Sequence, residues 1–241
     1  MIRTVLFDLD GTLLPMDQDR FTKTYFGKLA ETMSSLHAPD QLVAAVWAGT
    51  KAMIKNDGAK TNEGVLRDTY TGIFGPGAAE EEPVFARFYA ERFRELQPLC
   101  GKDPAVGPLL RDLKAAGYTI AVASNPLFPM IAQTQRIAWT GAAPEDLACI
   151  TSYENSSYCK PNPAYYREVL ARLGASPEES LMVGNDVTED IEAARAAGLD
   201  TFLIPACMIN REGKDISSIP NGDFATLRSY LAENGFAPLT D

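Results

Sequence analysis

Five short apolar runs recur along the chain, at residues 2–9 (IRTVLFDL), 118–124 (YTIAVAS), 147–151 (LACIT), 180–184 (SLMVG) and 200–204 (DTFLI). They are rich in β-branched and aromatic residues and end on glycine or polar residues, as buried strands do. Patterns of helical period separate the later ones. Leu109, Leu110, Leu113 and Ala116 share a face and stop at Gly117. Tyr166, Val169, Leu170 and Leu173 stop at Gly174, and Ile191, Ala194 and Ala197 at Gly198. A glycine just past the last periodic residue is a helix C-terminal signal. Strand and helix alternating at this length predict βαβ units and an α/β fold, a Rossmann-like, doubly wound parallel sheet. In that architecture ligands bind beyond the carboxyl ends of the strands.

The alternation fails between residues 15 and 97. Helical patterns follow one another there without strands, at about 19–36, 40–56, 61–74 and 80–96. Leu42, Val46, Gly49 and Met53, flanked by Val43, Trp47 and Ile54, make one apolar stripe. Phe85, Phe88, Arg92 and Leu96, with Tyr89 and Phe93, make another. Such stripes bury themselves against neighbouring helices. The span therefore reads as an inserted all-α domain over 15–97, and the α/β core as 1–14 and 98–241. The tail after Pro205 is polar until a short helix near residues 224–234.

Composition narrows the partners. With 22 Lys and Arg against 32 Asp and Glu, the 241-residue chain carries a formal charge of −10. That argues against nucleic acid and against anionic membranes as partners, although one pocket can reverse the field locally. Cys100, Cys149, Cys159 and Cys207 form no CxxC pair, and they read as reduced thiols of a cytoplasmic protein. No leader-like segment precedes the first strand and no apolar stretch approaches the length of a membrane span. The single histidine, His37, excludes chemistry built on paired histidines.

Candidate chemistry gathers at the ends of four predicted strands. The first segment is Asp8-Leu9-Asp10-Gly11-Thr12. Two carboxylates in an apolar run are costly to bury unless paired or metal-bound. Spaced two apart on a strand they would face one pocket, one as nucleophile or metal ligand and the other as acid–base. The structural alternative is a strand that ends in an Asp-Gly turn. The second is Ser124-Asn125, ahead of a helix expected to start at Pro126, where a hydroxyl serves as an anion contact or as a plain cap. The third is Cys159-Lys160-Pro161-Asn162-Pro163, whose lysine could neutralise a phosphoryl group or simply be solvated. The fourth is Gly184-Asn185-Asp186-Val187-Thr188-Glu189-Asp190, acidic at a helix start as the dipole favours. Asp186 and Asp190 there lie four apart on one helix face. Each has a bland reading alone, but all four at strand ends and in working order do not.

This ordered set resembles the haloacid dehalogenase (HAD) superfamily, over about residues 1–14 and 100–205. The resemblance implies a Rossmann-like core and an α-helical cap inserted directly after the first motif. It implies a phosphatase of small phosphorylated metabolites, since dehalogenases of the superfamily lack the second aspartate. Asp8 would attack phosphorus and become an aspartyl phosphate, with Asp10 as acid and then base. Ser124, Asn125 and Lys160 would hold the transferring oxygens. Mg²⁺ would be held by Asp8, the Asp10 carbonyl and Asp186, with Asn185 and Asp190 behind them. Asn185 stands where many relatives carry an acid, which leaves two candidates for the ligand. A phosphomutase and a silent binding module share the scaffold. Phosphonate cleavage would need a cap lysine, for which Lys23, Lys28, Lys51, Lys55 and Lys60 qualify by type alone. Substrate choice is expected near the cap hinge, at Met16, Arg20 and Lys23.

Overall fold

The computed structural model describes residues 1–238. All five predicted strands form, as β1 (Thr4–Phe7), β2 (Thr119–Val122), β3 (Cys149–Ile150), β4 (Ser180–Gly184) and β5 (Asp200–Leu203). They make one parallel sheet in the order β3-β2-β1-β4-β5. The chain winds outward from β1 through β2 to β3, then crosses back to β4 and β5. The switch point is therefore the carboxyl end of β1, where this architecture binds ligands.

Register decides what meets there. Phe7 of β1 pairs with Val122 of β2 and Val183 of β4. The ladder runs one step further, with Asp8 N–H donating to the Val183 carbonyl at 2.9 Å and Ala123 N–H to that of Phe7 at 2.7 Å. Asp8, Ser124 and Gly184 consequently leave the sheet side by side.

Both faces of the sheet are covered, which is why its strands are almost continuously apolar. Val5, Phe7, Ile120, Val122, Leu181 and Val183 pack against α5 (Val106–Ala115) and α9 (Phe224–Asn234). Leu6, Ala121 and Met182 pack on the other side against α7 (Pro163–Leu173) and the one-turn helix Ala193–Ala196.

The span without strands is helical, as its pattern predicts. It holds α1 (Gln18–Met33), α2 (Pro39–Ile54), α3 (Asn62–Phe74) and α4 (Glu82–Arg87). Where the sequence suggests one helix over 80–96, the chain changes pitch. A π turn spans Phe88–Arg92 and a 3₁₀ turn Phe93–Leu99, the latter containing Pro98, which has no N–H to donate. These helices own a core in which Phe21, Tyr25, Leu29, Met33, Phe88 and Phe93 are buried. Leu42, Val46, Gly49 and Met53 are buried as the stripe requires, but Trp47 and Ile54 remain 41% exposed. The start of α3 is bonded to the α/β core. Asn62 N–H donates to the Ser156 carbonyl at 2.8 Å and Glu63 N–H to that of Tyr153 at 2.9 Å.

Among the described residues, no helix is long and apolar enough to cross a membrane. The four cysteines are free thiols.

Candidate active site

β1 stops at Phe7, and the next residues turn rather than extend. Leu14 N–H donates back to the Leu9 carbonyl at 2.8 Å, and Gly11 N–H to that of Leu14 at 2.8 Å. Gly11 sits at φ +92°, and a Cβ there would lie 2.5 Å from the Asn185 amide nitrogen. Only glycine meets both demands. The strand ends before either aspartate, and each carboxylate finds its own cation, Lys160 for Asp8 and Arg136 for Asp10.

Asp8 is 8% exposed and accepts from the Lys160 ammonium on Oδ1 at 2.9 Å. Its Oδ2 lies 3.3 Å from the Thr12 hydroxyl, whose closer acceptor is Asn185 Oδ1 at 2.9 Å. A hydroxyl has one proton to give. Oδ2 of Asp8 is therefore the lightly engaged oxygen, the one free to react or to bind a cation.

Lys160 is 1% exposed and bridges Asp8 to Asp190, whose Oδ1 accepts at 2.6 Å. Burial works against its charge, but the two carboxylates beside it hold the ammonium well above the usual lysine range. Asp190 spends its other oxygen on the backbone N–H groups of Asn185 (3.0 Å) and Asp186 (2.9 Å). Burial pushes Asp190 up, against the pull of Lys160. Gly184 makes room for it, since a Cβ there would sit 2.3 Å from the Asp190 carboxyl carbon. Asp190 thus ties the β4 exit loop to the lysine.

Asp10 pairs with Arg136, which lies on α6 (Met130–Thr140) and is fully buried. The same guanidinium bonds Gln133 and lies 4.4 Å from the centre of the Phe128 ring. Oδ1 of Asp10 is buried with no partner among the described residues. Burial raises the Asp10 carboxyl above its ordinary range, with Arg136 pulling it down and Asp8 pushing it up. Its backbone carbonyl accepts from the Gln18 amide at 3.0 Å.

The second segment differs from expectation. Residues 124–129 run as a loop and the helix begins at Met130, with Pro129 at its cap position. The residue before a proline is pushed out of the helical region, so Asn125 and Phe128, which precede Pro126 and Pro129, delay the start. Ser124 therefore sits ahead of a loop rather than at a helix N-terminus. Its carbonyl is held by the Thr151 hydroxyl at 2.7 Å and the Tyr165 hydroxyl at 2.8 Å. Asn125 donates to Glu189 Oε2 at 3.1 Å, and its own Oδ1 is buried without a partner among the described residues.

Asp186 has one carboxylate oxygen engaged at a helix start. It is a helix N-cap, its Oδ1 accepting from the N–H groups of Thr188 and Glu189, both at 2.8 Å. Asn185, 2% exposed, is linked to Asp8 through the Thr12 hydroxyl, which lies near both. Its amide nitrogen donates to the Cys207 carbonyl at 2.6 Å. Among the described residues, no group of three or more His, Cys, Asp or Glu side chains could hold a metal, so carbonyl and amide oxygens would have to complete any donor set.

Arg136, Gln133 and Gln18 escape the sequence reading, and Thr12 stands in its first motif without a role. Gln133, Arg136, Ile137 and Thr140 recur at helical spacing on a buried face, and polar residues on such a face are the signal that could have found Arg136. Cys207, Met208, Ile209 and Arg211, in a stretch that carries no pattern, wall a cavity of about 350 Å³ that opens beside Gly11, Met16, Gln18 and Asn185. Of the lysines in the helical span, Lys23, Lys51, Lys55 and Lys60 are exposed and Lys28 pairs with Glu95 at 2.5 Å, so none is sequestered as an imine-forming amine would be.

A family model described as haloacid dehalogenase-like hydrolase matches residues 2–198. The chain is 32% identical over 244 residues to a phosphoglycolate phosphatase of Rhodospirillum rubrum, covering 96% of this chain and 91% of that one. It is 28% identical over 245 residues to a glyceraldehyde 3-phosphate phosphatase of Methanothermobacter thermautotrophicus, covering 96% and 100%. It superposes on a 2-haloacid dehalogenase from Pseudomonas syringae with a TM-score of 0.61 at 21% identity, over 98% of this chain and 100% of that one. A HAD phosphatase from Thermococcus onnurineus superposes with a TM-score of 0.54 at 18% identity, over 99% and 100%. One fold thus hosts two chemistries, and the site has to choose between them.

Proposed function

The chain belongs to the haloacid dehalogenase-like hydrolases, and from that premise we propose that it hydrolyses a small phosphomonoester through a phosphoryl group carried on Asp8. Phosphatases of small phosphorylated metabolites at 28% and 32% identity over 96% of the chain support the class of reaction. The observation that carries the mechanism is the paired arrangement at the β1 exit. Asp8 is ion-paired through one oxygen and lightly engaged at the other, and Asp10 stands two residues on with Oδ1 unpartnered.

In the first step Asp8 Oδ2 forms a bond to phosphorus while the bond from phosphorus to the ester oxygen breaks. Asp10, carrying a proton, delivers it to the departing alkoxide from Oδ1. In the second step Asp10 takes a proton from water as the water oxygen bonds to phosphorus. The acyl phosphate bond then breaks and Asp8 returns as a carboxylate. Lys160 keeps Asp8 in place and sets positive charge beside the oxygens on which negative charge develops. Arg136 holds the other oxygen of Asp10, so that Oδ1 is the one presented. Ser124, with its carbonyl pinned, and Asn125 complete the oxygen contacts.

The residues fit Mg²⁺. The Asp8 carboxylate, the Asp10 carbonyl and Asn185 Oδ1 offer hard oxygen donors of the kind it takes, and the Thr12 hydroxyl lies between Asp8 and Asn185. When bound, the ion would withdraw charge from the phosphoryl oxygens. Asn185 takes the place in this set that the sequence offered to Asp186, whose Oδ1 is committed to the helix start. The helical span over 15–97 is proposed as the cap that covers this site, and free thiols favour a reducing compartment, the cytoplasm.

Phosphate release from a panel of phosphomonoesters with Mg²⁺ tests the reading. Asp8→Asn should fold and lose about 10⁴-fold or more of turnover, as nucleophile deletions do. Asp10→Asn should lose about 10²–10⁴-fold. Wild-type turnover in Asp8→Asn overturns the proposal.

A further inference from the structure

A second cavity, of about 240 Å³, lies in the helical span, outside the site described above. Its walls come from α1, α2, α3 and α4, and its floor is closed by Leu127, Phe128 and Tyr153 of the core loops. None of Asp8, Asp10, Ser124, Lys160 or Asn185 lines it. The Phe128 ring forms the partition, because its neighbour is the Arg136 guanidinium that holds Asp10.

The lining is hydrocarbon and aromatic, and its polar atoms are mostly spent. The Tyr25 and Tyr89 hydroxyls bond each other at 2.8 Å, and the Tyr70 hydroxyl donates to Glu81 at 2.8 Å. The Thr50 and Thr71 hydroxyls donate to their own helix carbonyls at 2.9 and 2.8 Å. A sugar or a polyol would find few partners here, and an apolar guest would need few. Protein interiors do not leave this much space between packed helices, and an apolar cavity of about 150 Å³ already accepts benzene. The cavity has a way in from solvent, rimmed by Trp47 (41% exposed), the exposed Ala79 and the Arg67–Glu63 pair at 3.2 Å. It also lies at the junction of the helical span with the core, where small-molecule sites favour domain interfaces.

We propose that this cavity is a binding site for one small aromatic or branched hydrocarbon group of about ten non-hydrogen atoms, separate from the phosphate site. The occupant slides between α2, α3 and α4, stacks among Phe26, Trp47 and Phe85, and stops against Phe128. Nothing in this depends on the phosphatase reading. The apolar group could arrive as a free molecule or as the tail of a substrate, and the two leave different signatures.

Indole is the probe, titrated into the full chain and read from the ¹³C methyl resonances of Val46, Met53 and Leu66. A saturable, one-to-one shift confined to those methyls is expected. The rim variants Ala79→Phe and Thr71→Phe, which fill the entrance from half-buried or exposed positions, should each weaken it at least tenfold. Saturating inorganic phosphate with Mg²⁺ should leave the indole dissociation constant within twofold, because the Phe128 partition separates the sites. Absence of a saturable shift, or unchanged affinity in both rim variants, overturns the site. Competition between phosphate and indole overturns its separateness and makes the cavity the substrate-tail end of the phosphate pocket.

Discussion

Asp10 and Arg136 show how much a single buried pair can determine. Arg136 has no exposed surface, whereas the Asp10 side chain keeps 23% of its own. Removing the cation leaves a carboxylate largely out of water, so Arg136→Met should cost about 3 kcal/mol, the low end for a broken buried pair. Urea unfolding measures it. Adding Asp10→Asn should recover part of that loss, because the amide carries no charge needing a partner, and a double-mutant cycle reads the coupling. Additive losses would show that Arg136 matters only for packing. The metal assignment is also decided at this scale. If Asn185 supplies a donor oxygen, Asn185→Ala should shrink the Mg²⁺-induced rise in Tm, which reaches about 2.7 kcal/mol at a hundred times Kd. Asp186→Asn should leave most of that rise, since asparagine caps a helix as well as aspartate does. The reverse order of damage would return the metal to Asp186. The sequence showed Asp8, Asp10 and Lys160 through their motifs and strand ends. Arg136 went unread, because a lone arginine in a helix reads as a solvated charge unless the spacing it shares with Gln133, Ile137 and Thr140 is taken as a buried face.

Among the elements, the start of α3 carries more than its length suggests. Asn62 is fully buried, and its side-chain nitrogen donates to the Pro126 carbonyl at 3.3 Å and to Cys159 Sγ at 3.3 Å. Those partners flank the Ser124 and Lys160 loops, so one residue of the helical span ties both loops of the site. Cys159 is 1% exposed, and burial pushes its thiol up to about 12. It should therefore resist iodoacetamide at pH 8. Asn62→Ala removes the tether and leaves the Pro126 carbonyl short of a donor, so Cys159 should become labelled, with peptide mass spectrometry locating the adduct. If Cys159 stays as unreactive as before, the tether does not hold the loops. The element pattern itself was open to reading. Apolar runs and glycine stops located all five strands, the helices α5 and α7 and the turn Ala193–Ala196, and α9 lies where a short helix near residues 224–234 is read. Boundaries were lost where proline intervened, at Pro126 and Pro129 ahead of α6 and at Pro98 in the final turn of the helical span. The stripe of α2 was read too wide at Trp47 and Ile54, because periodicity marks a face without saying what covers its margin.

For the whole molecule, topology gathers the chemistry. The parallel register brings the ends of β1, β2 and β4 level at the switch point, so Asp8, Ser124 and Asn185 leave the sheet near one another, and the loop after β3 delivers Lys160 to Asp8. The helical span has its own core and is fastened to the α/β core at Asn62, Glu63 and Tyr89, the last through the Gln135 amide. Replacing residues 15–97 by a Gly-Ser linker should leave a folded α/β core whose site is open to water. Near-native far-ultraviolet circular dichroism for the remaining strands and helices, with relaxed substrate selectivity, is the expected result. A core that cannot fold would mean that the helices belong to it. The central claim, however, is covalent. Asp10→Asn, mixed with an aryl phosphate whose phenolate leaves without a proton, should accumulate the phosphoryl group, since no base then activates water. Acid quenching, trypsin digestion and tandem mass spectrometry should find one added phosphoryl group on the peptide of residues 4–20, localised to Asp8 by its fragments. Release of phosphate in wild type, with no phosphorylated peptide in Asp10→Asn or with the label on any other residue, would contradict the account.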